Sequence, residues 1–522
     1  MRRYLKRCGC LVPSKFSPIC SLTSTSQALQ CSVVSVNLNA SPFILSDLTQ
    51  ALSHAHNYAS LLDAPLCSLS PLHRWGLSGY GRSQETPRLD VVHRQVYHQG
   101  VPQGAWIDTE DEFQGYLQAW LDAHTIPFDN GSLPEELPTT SGIFGFLSYE
   151  SVWLASDKLA SLCDMPATIQ PTHRWVAYPH RLVLDYEQGR LYFFSASEAE
   201  HQRFQQILNS LQEKPQTDTP LLFKPFQDDW LKDYTPSLTQ ASFEAQVKHI
   251  QDWIASGDLY QANLSIQWQR HLKQVNPWVL FRALMQRNPS PFSGLWKSPQ
   301  GWILSNSPER LVKQDGDTLS TRPIAGTRSR GQSQADEAAL EAELLSLEKE
   351  RAEHLMLVDL ERNDLGKVCR AGSVHVDELM SIERYSHVTH VVSNIVGEKR
   401  EDASQWEILN ALFPGGTITG CPKLRCIEKL ASCEQVARNA YTGSFGYLDP
   451  HRQRMDFNIL IRTLSLTPRN PLNFEKGDVF SHAYDVTLQA GAGIVQDSVP
   501  THEWKESLKK AKAVFEVLHA LS

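Results

Sequence analysis

The chain has 522 residues, 41% of them hydrophobic and 20% charged, with a net charge of -9. That length suits one very large domain or two ordinary ones, and the acidic balance argues against a general nucleic-acid binder. No run approaches the roughly 20 apolar residues that a membrane-spanning helix needs, and ten scattered cysteines without a CxxC pair read as reduced thiols of a cytoplasmic protein.

In chain order, residues 1–35 form an N-terminal extension. Arg2, Arg3, Lys6, Arg7 and Lys15 stand among serines, with no acid before Asp47, so the segment reads as disordered or as an organelle-targeting peptide. Residues 36–211 read as an N-terminal subdomain. Ser141–Ser151 and Arg181–Ser197 alternate as strands do, the second as a hairpin turning at Glu187–Gly189, and Glu200–Leu211 is helix-like. Residues 212–237, with four prolines and little periodicity, read as a linker.

Residues 238–522 read as a C-terminal domain. Phe243, Val247, Ile250 and Ile254 make one apolar helical face that stops at Gly257. Tyr260–Gln269 (YQANLSIQWQ) then reads as a strand and Asp336–His354 as a charged helix. Gly443–Asp449 (GSFGYLD) and Phe457–Leu466 (FNILIRTLSL) read as strands, and Glu503–Leu521 as a closing helix. Strands and helices mix without a βαβ rhythm, which predicts an α+β fold: large antiparallel or mixed sheets packed with flanking helices.

Four islands stand out: TRPIAGTRSRG (Thr321–Gly331), EHLMLVDLERNDLG (Glu353–Gly366), PGGTITGCPK (Pro414–Lys423) and LQAGAGIVQDS (Leu488–Ser498). In this order they resemble the chorismate-utilising enzymes: anthranilate synthase component I, aminodeoxychorismate synthase component I, isochorismate synthase and salicylate synthase. The resemblance runs from about Phe243 to Leu521 and implies the chorismate-binding fold. It also implies a Mg²⁺-dependent reaction on a small dianion.

The resemblance assigns roles residue by residue. Glu309, in SNSPER, matches the acid that protonates the departing C4 hydroxyl. On residue type alone it would be a solvated turn residue. Glu353 and Glu506 match the Mg²⁺ ligands, although charged helix faces are usually just solvated; Glu350 and Glu503, each three residues away, are candidate helpers. Tyr441 and Arg462 match the pair that grips the enolpyruvyl carboxylate, a task suited to the guanidinium fork. Gly491, Ala492 and Gly493 would let backbone N–H groups approach the same carboxylate. His390 and Thr417 match residues that position substrate, Gly326 and Thr327 fall in the substrate-binding PIAGT segment, and Lys423 would offer positive charge beside the pocket.

Gln261 discriminates among reactions. Members that add water to chorismate carry lysine here, and an amide cannot take a proton at neutral pH. Glutamine is what the ammonia-using members carry, so amination is expected. YQANL, Phe292 and Ser293 in NPSPFSGLW, and Gly415 lean towards aminodeoxychorismate synthase. Its product keeps the enolpyruvyl group and serves 4-aminobenzoate and folate synthesis. Ala64 in LLDAP replaces the serine of a tryptophan-effector site, so tryptophan feedback is not expected. Ala325 points the other way: many aminodeoxychorismate synthases have a nucleophilic lysine there, and alanine cannot form a covalent intermediate. Anthranilate synthase, which releases 2-aminobenzoate and pyruvate, is the alternative. The chain has no glutamine-amidotransferase motif, which implies a separate amidotransferase subunit that supplies ammonia. A non-catalytic regulatory relative is the alternative of another class, but Glu309, Glu353 and Glu506 are all present.

Overall fold

A computed structural model describes residues 29–521 except 37–42, 64–73, 214–220, most of 330–347, 385–387, 471–482 and short stretches between residues 55 and 170. Ala64, most of the 1–35 extension and about half of the expected 336–354 helix lie outside the described residues; its last residues, from Glu348, begin the helix Glu348–Gly366.

Two 12-stranded antiparallel sheets, flanked by helices, build the molecule. Strands from both halves of the sequence share them. Tyr58–Leu62 pairs with Phe292–Ser298 in the first sheet, and Ile143–Leu147 pairs with Ser444–Asp449 in the second. The last residues of the expected extension are also in register, Gln30–Ser35 pairing with Arg190–Ser195. Thr235–Pro236, at the end of the expected linker, pairs with the strand Gln261–Leu272.

Alternation along that last strand explains how the first sheet divides its faces. Ala262, Leu264, Ile266 and Trp268 enter a core shared with the helices Gln240–Ala255, Pro277–Arg287 and Pro500–Ala520. Gln261, Asn263, Ser265 and Gln267 point to the opposite face and are buried as well. The helix Gln240–Ala255 starts where Thr239 caps the Ser242 amide and buries Phe243, Val247 and Ile250. It is followed by Gly257 at φ +82°. A second core packs the helices Glu110–His124, Glu348–Gly366 and Gln405–Leu412 on the second sheet. A third, aromatic cluster contains Phe144, Phe146, Tyr178, Trp296 and Phe445.

One expected strand is two. The ladder of Arg454–Asn458 belongs to the second sheet and that of Thr463–Pro468 to the first, so FNILIRTLSL crosses between sheets. A neighbouring pair makes the reverse crossing, from Gly301–Ser307 in the first sheet to Arg310–Asp315 in the second. The Ile459 amide donates to the Glu309 carbonyl at 3.0 Å, tying the two crossings together. Arg462 turns the corner at φ +51°, a left-handed conformation uncommon outside glycine. Such corners are where strands change sheet, and this one brings Arg462 within electrostatic reach of Glu309.

Candidate active site

The inner, polar face of the first sheet supplies one wall. Antiparallel register places Asn263 opposite Gly493 and Ser265 opposite Gly491. A Cβ at Gly493 would lie 2.5 Å from Gln261 Nε2, and one at Gly491 would lie 2.6 Å from Asn263 Oδ1. The AGAGI glycines therefore make room for two neighbouring carboxamides. Gln261 Nε2 donates to Glu353 Oε1 at 3.1 Å, joining the strand to the helix Glu348–Gly366. Asn263 Nδ2 donates to the Thr417 carbonyl at 3.3 Å, joining it to the short helix Gly416–Thr419.

The sheet corner supplies the acid. Glu309 is 5% exposed, and burial pushes its carboxyl up to about 7, against the lowering influences of the Thr417 hydroxyl, Lys510, Arg462 and the Ile324 backbone. A carboxyl titrating near neutral pH is suited to general acid catalysis. His390 lies across the ladder from Thr327, with Nδ1 3.4 Å from the Gly326 carbonyl. Burial first, then Arg462, pushes its imidazole down to about 4, so it is neutral at pH 7. Gly326 takes φ +68° where the register of its strand shifts.

Four buried oxygens here have no hydrogen-bond partner: Gln261 Oε1, Asn263 Oδ1, Glu309 Oε1 and Thr417 Oγ1. Buried polar groups are normally satisfied. Unsatisfied oxygens on the sheet face (Gln261, Asn263) and at the corner (Glu309, Thr417) fit a small polar ligand rich in hydroxyl and carboxylate groups.

The chorismate binding enzyme family matches residues 93–516. The chain belongs to this family. An anthranilate synthase component I-like protein of Synechocystis sp. is 42% identical over 75% of each chain. The aminodeoxychorismate synthase component 1 of Bacillus subtilis is 40% identical over 72% of this chain and 76% of its own. Among solved structures, anthranilate synthase component I from Streptococcus pneumoniae superposes with a TM-score of 0.65 at 28% identity, covering 85% of this chain and 93% of its own. The menaquinone-specific isochorismate synthase of Escherichia coli shares the fold, with a TM-score of 0.62 at 17% identity over 99% of this chain and 98% of its own.

In this chorismate-binding enzyme, the remaining residues fall in three places. Tyr441 lines a small, partly open pocket with Gln267, Arg438, Thr463, Thr487 and Gln489, farther along the polar face. Lys423 is turned into the wall: Nζ pairs with Asp364 at 2.6 Å and donates to the Leu412 carbonyl. Its charge is matched there rather than offered to a ligand. Glu353 and Glu506 are partly exposed, with Lys510 Nζ 4.0 Å from Glu506 Oε1.

Mg²⁺ prefers oxygen ligands, keeps several waters and is commonly held by one or two carboxylates. Among the described residues no three acids, histidines or cysteines converge; Glu353 and Glu506 are the two carboxylates that the resemblance offers as ligands. That donor set fits Mg²⁺ completed by water and a substrate carboxylate. The side chain of Glu350 lies outside the described residues. No helix among those described is long and apolar enough to cross a membrane.

Three residues were missed in the sequence. Asn263 lies two residues after Gln261 and so shares its strand face. Lys510 lies one helical turn after Glu506. Both spacings were legible once their partners were identified. Arg438 carried no such signal. Its guanidinium, 2% exposed as a residue, pairs with Glu434 at 2.6 Å and donates to the carbonyls of Asn263 and Ile418. It thereby clamps the two segments that present Asn263 and Thr417.

Proposed function

We propose that this chain aminates chorismate with ammonia delivered by a separate glutamine amidotransferase subunit. The observation that carries the reading is the Gln261–Glu353 hydrogen bond of 3.1 Å. An amide occupies the position where water-adding members carry a basic lysine, and it orients a carboxylate without being able to take a proton from water.

In this reading Glu309 gives its proton to the C4 hydroxyl, which leaves as water. Ammonia forms the new C–N bond and loses a proton. Glu353 and Glu506 would hold Mg²⁺, whose charge would fix the ring carboxylate. Arg462 and Tyr441 would take the enolpyruvyl carboxylate, and neutral His390 would position the ring.

For the product, 2-aminobenzoate with release of pyruvate is the first reading. Relatives named as anthranilate synthase components support it, as does the 28%-identical structure. So does Ala325, which has no nucleophilic atom. This reverses the order expected from sequence. The 4-amino product remains a second reading, favoured by Phe292, Ser293 and Gly415 and by the Bacillus subtilis relative.

Purified protein, chorismate, Mg²⁺ and an ammonium salt at alkaline pH, followed by chromatography with mass detection, tests both. Release of 2-aminobenzoate and pyruvate supports the first. A product that keeps the enolpyruvyl group, and that aminodeoxychorismate lyase converts to 4-aminobenzoate, supports the second. Isochorismate as the sole product would overturn the amination reading.

A further inference from the structure

Behind Glu309 lies a second buried carboxyl to which no role has yet been given. Glu361, on the helix Glu348–Gly366, is 6% exposed. Its Oε2 lies 2.6 Å from the Thr321 hydroxyl, and that hydroxyl is also 2.9 Å from the Leu311 carbonyl. A hydroxyl has one proton to donate. The Leu311 carbonyl can only accept, and the register of its strand skips Leu311, passing from Arg310 to Val312. If Thr321 donates to that carbonyl, the shorter contact is a hydrogen bond only when Glu361 carries the proton.

The same wall reaches the acid. Leu311 is two residues after Glu309. Three residues beyond Thr321, the Ile324 backbone lies near enough to the Glu309 carboxyl to favour its ionised form. From the helix side, Gly416 packs on Leu360, and the next residue, Thr417, stands beside Glu309.

We propose that Glu361 is a neutral carboxylic acid in the working protein, donating to Thr321, and that it is a positioning residue for Glu309. It fixes the Thr321–Ile324 segment that faces the acid, and it does so without placing a second negative charge beside it. The inference rests on the reading of Glu309 as the proton donor. The titratable groups facing Glu361 are Glu309, Asp364 and Lys423. Burial pushes Glu361 up to about 8, Thr321 and Lys423 oppose this, and Glu309 and Asp364 reinforce it. Asp364 is itself matched by Lys423 and Lys367 at 2.6 and 2.7 Å, which leaves Glu309 and Glu361 as the coupled pair.

The test compares wild type, Glu361→Gln and Glu361→Ala by pH–rate profile, chorismate KM and difference infrared spectroscopy. The glutamine amide can donate to Thr321 as the acid does, so E361Q retains neutral-pH turnover. Its alkaline limb moves to lower pH, because no second carboxyl ionises beside Glu309. E361A loses about tenfold in kcat with KM unchanged, as expected for one lost buried hydrogen bond. The infrared spectrum of wild type at pH 7 contains a protonated-carboxyl band that E361Q lacks. An E361Q profile identical to wild type, E361Q as slow as E361A, or no band lost in E361Q would each overturn the proposal. Should E361A fail to fold, the E361Q profile and spectrum decide. Wild type that binds chorismate without turning it over would count against the proposed function, while the infrared band still reports on Glu361.

Discussion

Replacing Glu309 by glutamine separates chemistry from stability in opposite directions. The carboxyl is raised from 4.5 to about 7 by burial, so the folded state holds its proton over a pH range in which the unfolded chain has released it. The contribution of such a group is fully present below pH 4.5 and is lost as pH rises through 7. A gap of about 2.5 pH units at about 1.4 kcal/mol each makes ionised Glu309 about 3 kcal/mol destabilising at pH 8. Glutamine has nearly the same shape and no charge, so Glu309→Gln should raise the Tm at pH 8, with the gain shrinking towards pH 5. Turnover should fall by about 10²- to 10⁴-fold, the usual share of a positioned general acid, with chorismate binding largely intact. Scanning calorimetry at pH 5 and 8, titration calorimetry with chorismate and steady-state product formation read the three effects separately. Undiminished turnover would refute the acid assignment, and a Tm change independent of pH would refute the argument from burial.

Three further outcomes are expected. Gly493→Ala would drive a Cβ to within 2.5 Å of Gln261 Nε2, displacing the amide from Glu353. A misplacement of this size costs about 100-fold in kcat/KM, and wild-type activity would show that the amide can move freely. Glu353→Ala and Glu506→Ala should each abolish the Mg²⁺ dependence of chorismate binding, and an unchanged metal titration would count against them as ligands. His173 is fully buried, both ring nitrogens lack partners, and burial pushes it down to about 3. The unfolded chain therefore binds a proton below about 6.5 that the folded state refuses, and stability is lost as pH falls. His173 stacks on Phe113 at 4.4 Å, so His173→Phe should keep the packing and raise stability, by about 2 kcal/mol more at pH 5 than at pH 7. A gain that does not grow with acidity would contradict this.

The sequence by itself determined the local elements and the family chemistry. Periodicity located the helix after Thr239, the strand from Gln261 and the hairpin around Gly189, because side-chain alternation and capping act within a few residues. The islands of motif brought Glu353 and Thr417 forward, and the SNSPER and YQANL segments brought Glu309 and Gln261, since the residue types themselves carry the resemblance. Only the tertiary structure decided where those elements turn and whom they meet. Phe457–Leu466 has a strand composition throughout, yet it breaks at Arg462 because the chain must leave one sheet for the other. Lys423 has the charge for a substrate anion, yet Asp364 from another helix holds it. Arg438 and Glu361 gave no signal in sequence, since their partners lie 40 or more residues away for at least one contact each: Asn263 for Arg438 and Thr321 for Glu361. Whether a carboxyl in this chain is a solvated surface charge or a buried proton donor depends on the solvent that folding removes, and that is a property of the packed corner between two sheets.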